Sequence, residues 1–339
     1  MTTTPRTPPR LLLPSALLCS TLLGASLLAS TPVLATELRM GLITPPQHIW
    51  TQAAERLAET VAERSDGELT IAIFPAGQLG DEPAMFSQME TGLLDLGLMT
   101  AAITSQREPA FVGWFSPFLF DSVAEAAKAT ETDAAQQMLD NLEDKGLHAF
   151  GYTFAGMRHI LMRDGRVESL DDVRREKVRI IPIPAMQAWW REAGATPTPV
   201  HLPDVYQSLQ NRMLDGIDID LDALVGSGFY EVAEHLTLTN HMAFPAVSVI
   251  SQTTWSSLSE VERELLEEAM QEALEWATES QIAAEESNLA YLEETIDVFT
   301  LEDAEGVFDA ANQAFQARFG EHPVIQAFQQ EVAARQDGE

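Results

Sequence analysis

The chain has 339 residues, 45% of them apolar, which allows one large domain or two ordinary ones and a core that needs no covalent staple. Its 52 Asp and Glu against 20 Lys and Arg give a net charge of −32, which argues against nucleic acid or an anionic membrane as partner. An acidic ligand stays open, provided that local arginines attract it.

The first 35 residues stand apart. Arg6 and Arg10 precede an apolar run over 11–28 that is broken by Pro14, Ser15, Cys19 and Gly24, and the small-residue exit "STPVLA" ends at Ala35. That order reads as a secretory leader cleaved after Ala35 rather than as a membrane anchor. Cleavage removes Cys19, the only cysteine, so neither disulfide nor thiolate chemistry is expected of the exported chain. Leu18 stands where a lipoprotein signal would want Gly or Ala. Losing Arg6 and Arg10 moves the net charge to −34, and only Lys128, Lys145 and Lys177 are lysines. Dispersed acid with scarce lysine suits a protein from a halophilic source, where salt screens self-repulsion. No later run reaches about 18 apolar residues, so no spanning helix and no direct insertion of the mature chain are expected.

Along the mature chain, 37–43 predicts a strand, and a helix follows over about 48–64. Asp66-Gly67 is a turn before the alternating strand "ELTIAIF". "PAGQLGDEP" is a loop, a helix is predicted over about 84–91, and "LLDLGLM" is a third strand. This alternation implies a parallel sheet with right-handed crossovers. A helical region over about 122–145 leads to "LHAFGYTF". From Gly156 the pattern restarts: strand "RHILMRD", a short helix opened by Ser169 and Asp172, strand "KVRIIP", a helix over 185–193, and extended "TPTPV". A helix over 204–210 and "LDGIDIDL" lead into a glycine-rich turn at 226–228. "FPAVSVIS" is a strand that can return to the first unit. Ser259 and Glu262 open a helical pattern to Thr295, long enough at about 55 Å to bridge two units. A strand "IDVFTL" and a helical tail finish the chain. The predicted class is α/β with two lobes.

Enzyme motifs are missing: there is no G-x-S-x-G, G-x-G-x-x-G, P-loop or H-E-x-x-H. The seven histidines never fall at i, i+4 on one helix, so no metal and no cofactor is expected. Trp189-Trp190 and His241 read as core or loop residues. The informative residue is Arg179, in the middle of an apolar strand. Burying a guanidinium without a partner costs several kcal/mol, so Arg179 either faces water or meets an anion. Arg158, in or beside another strand, poses the same choice. Their planar forks suit a carboxylate, and equally an ion pair with some of the many acids.

Several segments carry a resemblance. "FPAGQLGD" (74–81), "SPFLF" (116–120), "GMRHILM" (156–162), "KVRIIP" (177–182), "GATPTPV…PDVYQSLQNRMLDG" (194–216) and "FYEVAEHLTLTNH" (229–241) together resemble the DctP family of TRAP transporter solute receptors. The resemblance covers nearly all of the mature chain. It implies a non-enzymatic periplasmic binding protein fold with two lobes, strands crossing between them, a long helix along both, and a cleft that closes on a small organic acid. It implies partners too: a small DctQ-type and a large DctM-type membrane subunit. The expected lobes are 36–156 with 245–283, and 157–244 with 284–339. In that family the arginine of the "KVRIIP" strand pairs with the ligand carboxylate, here Arg179, and the "GMR" arginine, Arg158, supplies a second contact. Thr100, His48 and Gln47 are expected near the cleft from the other lobe. Three departures stand out. Arg175 occupies a turn position where the family often has Gly or Asn. Leu202 replaces a frequent aromatic. After "LDG" the chain has Asp218 at an acid position and Ile219 where an amide can touch ligand, so that contact is lost or replaced. Asp218 or Asp220 facing a cation would suit a zwitterionic compatible solute, and a ligand sensor for a membrane signalling protein would use the same fold.

Overall fold

The computed structural model describes residues 35–336 together with Met1 and Thr2; the leader with Cys19 lies outside the described residues. Eleven strands are described: β1 (Thr36–Gly41), β2 (Leu69–Phe74), β3 (Leu96–Thr100), β4 (Leu147–Met157), β5 (His159–Met162), β6 (Lys177–Ile180), β7 (Thr196–Pro199), β8 (Gly216–Ile219), β9 (His235–Leu238), β10 (Ala243–Ser251) and β11 (Asp297–Thr300). They form two sheets, ordered β2-β1-β3-β10-β4 and β11-β9-β5-β8-β6-β7. Each sheet is the floor of one lobe.

β1 pairs in parallel with β2 and β3, as the alternation of strands and helices predicts. The sheet is nonetheless mixed, because β10 returns from the second lobe and runs antiparallel to both β3 and β4. Strand direction is not written in hydrophobicity, so an all-parallel expectation could not have seen this. β10 is buried at all nine positions, which matches its unbroken run of apolar and small residues.

Two strand crossings between the sheets run side by side, one where β4 passes into β5 and one where β9 passes into β10, and a long helix makes a third between β10 and β11. Arg158 stands at the first crossing. Its backbone N–H donates to the Met242 carbonyl (2.7 Å), and its own carbonyl accepts from the His241 N–H (3.2 Å). The two crossing strands therefore stay hydrogen-bonded, and they hold Arg158 at the junction of the lobes.

Glu260–Thr295 is one helix, opened by a reciprocal Ser259–Glu262 capping box. Its buried residues, among them Leu266, Ala269, Met270, Ala273, Leu274 and Ala277, recur at three- and four-residue spacing. It packs on β4 and the helix Ile49–Arg64 of the first lobe, and on β11 and the helix Leu221–Gly226 of the second. The helix Leu221–Gly226 lies just before the glycine-rich turn predicted at 226–228, in a stretch given no element from sequence: six residues are too few to show a helical period. The last helix, Pro323–Gln336, packs against Asp133–Asp140 and Pro109–Phe115, so in the fold it goes with the first sheet rather than with the second lobe expected for 284–339.

Arg175 keeps the left-handed conformation expected of Gly or Asn there (φ +67°), with its N–H on the Gly194 carbonyl at 2.8 Å. A non-glycine residue holds that conformation at about 1–2 kcal/mol. Trp189 and Trp190 are fully buried; Trp189 stacks between His241 and Phe308, with ring centroids at 5.0 and 4.7 Å.

Candidate functional site

A cavity of about 270 Å³ lies between elements of the two sheets. From the first lobe it is lined by Thr44, His48, Trp50, Gly77, Glu82, Thr100 and Phe244, and from the second by Arg179, Ile181, Leu202, Ile219, Asp220 and Ala223, with Arg158 at the crossing. The lobes come close beside it. Gly77 sits at φ +68°, which favours glycine, and a Cβ there would meet the Pro203 ring at an ordinary contact distance of 3.5 Å.

Arg158 is buried and heavily paired. Its Nε donates to Asp218 Oδ1 (2.6 Å), its Nη1 to Asp220 Oδ2 (3.0 Å), and its Nη2 to the Asp218 carbonyl. The guanidinium lies over the Phe244 ring, with its carbon 4.5 Å from the centroid. Asp218 is entirely buried behind it and outside the cavity wall. Its second oxygen accepts from Trp190 Nε1 (2.7 Å) and lies 3.1 Å from His241 Nε2. Burial pushes the Asp218 carboxyl up, but Arg158, His241 and Trp190 outweigh it and hold it below the ordinary Asp range. Asp220 reaches the cavity while capping the helix Leu221–Gly226 through the Ala223 N–H (2.8 Å). Neither acid faces water or stands free for a ligand cation.

Arg179 is the contrast. It is only 3% exposed, held in the second sheet between β7 and β8. Nε donates to the Val200 carbonyl (2.8 Å) and Nη1 reaches the Asp218 carbonyl at 3.5 Å. Among the described residues, that leaves three of its five N–H groups without a protein partner, and no carboxylate lies within 4.0 Å of it. Burial, then the neighbouring Arg158, lowers its pKa to about 10, so it is still charged at neutral pH. A buried cation in a cavity wall, with donors to spare, fits a planar anion.

Glu82, which sequence reasoning missed, faces the same cavity at 4% exposure. Its two oxygens accept from the Thr100 N–H (2.7 Å) and the Thr100 hydroxyl (3.0 Å). Burial pushes its carboxyl up to about 7, against the pull of those bonds and of Arg179. His48 caps the helix Ile49–Arg64 by accepting the Trp50 N–H at Nδ1 (3.1 Å), and the same nitrogen lies 3.2 Å from Asp222 Oδ2. Burial lowers its pKa to about 4, so it stands neutral in the wall. Of the sequence candidates, Arg179, Arg158, Thr100, His48 and Ile219 line the cavity. Gln47 does not: it is exposed one residue before the cap, with its carbonyl accepting from the Gln52 amide. The exposed part of the wall includes Asp81, Pro203 and Asp204, and the half-buried His201 places its Nε2 3.6 Å from Asp81 across the lobes.

The model of a family described as bacterial extracellular solute-binding protein, family 7 (DctP), matches residues 40–321. A "Solute-binding protein" of Chromohalobacter salexigens is 28% identical over 324 residues, covering 94% of this chain and 96% of its own. Among solved structures, a TRAP periplasmic solute-binding protein of Chromohalobacter salexigens with bound D-glucuronate superposes with a TM-score of 0.82 at 26% identity, over 87% of this chain and 98% of that one. The sugar acid binding protein DctPAm of Advenella mimigardefordensis, in complex with galactonate, shares the fold at a TM-score of 0.84 and 23% identity, over 88% and 98%.

Proposed function

The chain belongs to the DctP family of bacterial extracellular solute-binding proteins, and from that premise we propose that it captures a small organic acid by its carboxylate, between the two lobes, for a TRAP transporter. The observation that carries this reading is Arg179, a buried guanidinium in the cavity wall with three N–H groups to spare and, among the described residues, no acid within 4.0 Å. Arg158, already neutralised by Asp218 and Asp220, shapes the pocket and offers its remaining N–H groups as weaker donors. The relative of known structure that holds D-glucuronate supports a sugar acid as the first ligand to try.

In this reading the lobes divide along the two sheets and swing together once the acid bridges them, because a ligand that touches both walls binds the closed form better. The closed form then docks on a small DctQ-type and a large DctM-type membrane subunit. The protein works outside the cytoplasmic membrane after its leader is cut behind Ala35. A zwitterionic ligand is less favoured, since Arg158 occupies both Asp218 and Asp220.

Thermal unfolding of residues 36–339 against a panel of organic acids in high salt tests the proposal. An acid at about 100 times its Kd adds about 2.7 kcal/mol of stability and raises the midpoint. Midpoints that no acid moves would overturn it.

A further inference from the structure

Glu82 lies in the wall that holds Arg179, and it has no cation within 4.0 Å among the described residues. Its ionised form is sustained by two bonds from Thr100 and by the field of Arg179 across the cavity. Once a ligand carboxylate has taken Arg179, two buried carboxylates share one free guanidinium. Like charges in a desolvated site do not both stay ionised. The ligand is held by the direct bidentate bond, so Glu82 is the group that gives way.

We propose that Glu82 takes up one proton from solvent as the ligand carboxylate engages Arg179, so that the cleft captures an organic acid together with a proton. The proposal rests on the capture reading above. The protonated form keeps its contacts. Oε1 goes on accepting the Thr100 N–H, while the hydroxyl of Oε2 donates to Thr100 Oγ1, 3.0 Å away, or to the ligand. The charged and titratable groups facing Glu82 are few. Asp81 precedes it on its own element, and Arg179 faces it from β6. Arg158 with Asp220, His48, and His201 with Asp204 complete the wall. Arg158 is neutralised by two acids and His48 is neutral, so neither offers the second positive charge that would let Glu82 stay ionised. The carboxyl already sits at about 7 before Arg179 is shared, and loss of that field moves it further up.

The test is titration calorimetry at pH 8 with whichever of D-glucuronate, galactonate and succinate raises the unfolding midpoint most. It is run in phosphate and in Tris, whose ionisation heats differ. The binding heats should differ between buffers by an uptake approaching one proton per ligand at pH 8, falling toward none at pH 5.5. Affinity should weaken by up to about tenfold per pH unit above about pH 7. Glu82→Gln should remove both the uptake and the pH dependence while still binding the acid. Glu285→Gln, which replaces a half-buried carboxyl outside the cavity wall, should keep both. Buffer-independent heats at pH 8, uptake that survives Glu82→Gln, or uptake lost in Glu285→Gln would each overturn the proposal. If Glu82→Gln does not fold, the wild type can still overturn the proposal by showing no uptake at pH 8. Binding without proton uptake sinks this inference alone, whereas no binding by any of the three acids sinks the capture reading and this inference with it.

Discussion

Replacing Asp218 with Asn isolates what holds Arg158 in place. In the native protein Asp218 Oδ1 meets Arg158 Nε at 2.6 Å, and Oδ2 takes Trp190 Nε1 and faces His241. At an effective dielectric of about 20, unit charges at that distance attract by about 6 kcal/mol before desolvation is counted. Asn gives up that attraction and brings in an N–H₂ that must face a donor. Turned toward Trp190, it leaves the indole N–H unpaired; turned toward Arg158, it leaves the guanidinium so. The first orientation costs less, because His241 can switch tautomer and accept. Asp220 still compensates part of the Arg158 charge. The net loss is then about 3–5 kcal/mol, the range for breaking a buried pair by removing one partner. Urea unfolding followed by tryptophan fluorescence reads it as a lower midpoint at unchanged slope. Since the native Asp218 pKa is depressed, its contribution is fully present above the ordinary Asp value of 3.8 and is lost only as pH falls through the lowered one. The difference between the two proteins should therefore be constant from pH 5 to 8. A loss below about 1 kcal/mol, or one that varies across that window, would refute the account of the pair.

Three further outcomes are expected. Arg175→Gly should stabilise the protein by up to about 1 kcal/mol, because it removes a left-handed arginine at φ +67°; an unchanged or lowered urea midpoint would count against the strain. Burial raises Glu285 from 4.5 to about 7, so the folded state holds more protons than the unfolded one between those values and stability falls as pH rises through them. Glu285→Gln should accordingly cut the stability lost between pH 5 and 8 by about 2–3 kcal/mol, read from urea midpoints at both pH values. Asp222→Ala should cost about 1 kcal/mol, because Asp222 Oδ2 accepts the Ile49 N–H (3.0 Å) at the start of a helix of the other lobe; differential scanning calorimetry would detect it.

Much of the fold was legible because periodicity and caps are local. The Ser259–Glu262 box and the spacing after it fix the start of the long helix, and "FPAVSVIS" announces a fully buried strand. Arg179 was legible for the opposite reason: a charge inside an apolar strand breaks the local rule and demands a partner. What the sequence hid is what pairs at a distance. Arg158 meets Asp218 and Asp220 across 60 and 62 residues, so "IDID" gave no sign that both acids are spent on one arginine. Glu82 was invisible among 52 acids, since nothing local separates a buried carboxylate from solvated ones. Gln47 is the converse. It adjoins a cavity residue in sequence, but the cap at His48 turns the chain and leaves it outside.

The most direct test of the central claim is the affinity of the best-binding organic acid for the wild type and for Arg179→Ala, measured by calorimetry at pH 6 in high salt. Removing a charge-assisted clamp in a desolvated cleft should weaken binding by about 2–5 kcal/mol, with the variant still folded. An Arg179→Ala protein that binds the acid within a few-fold of the wild type would contradict the account.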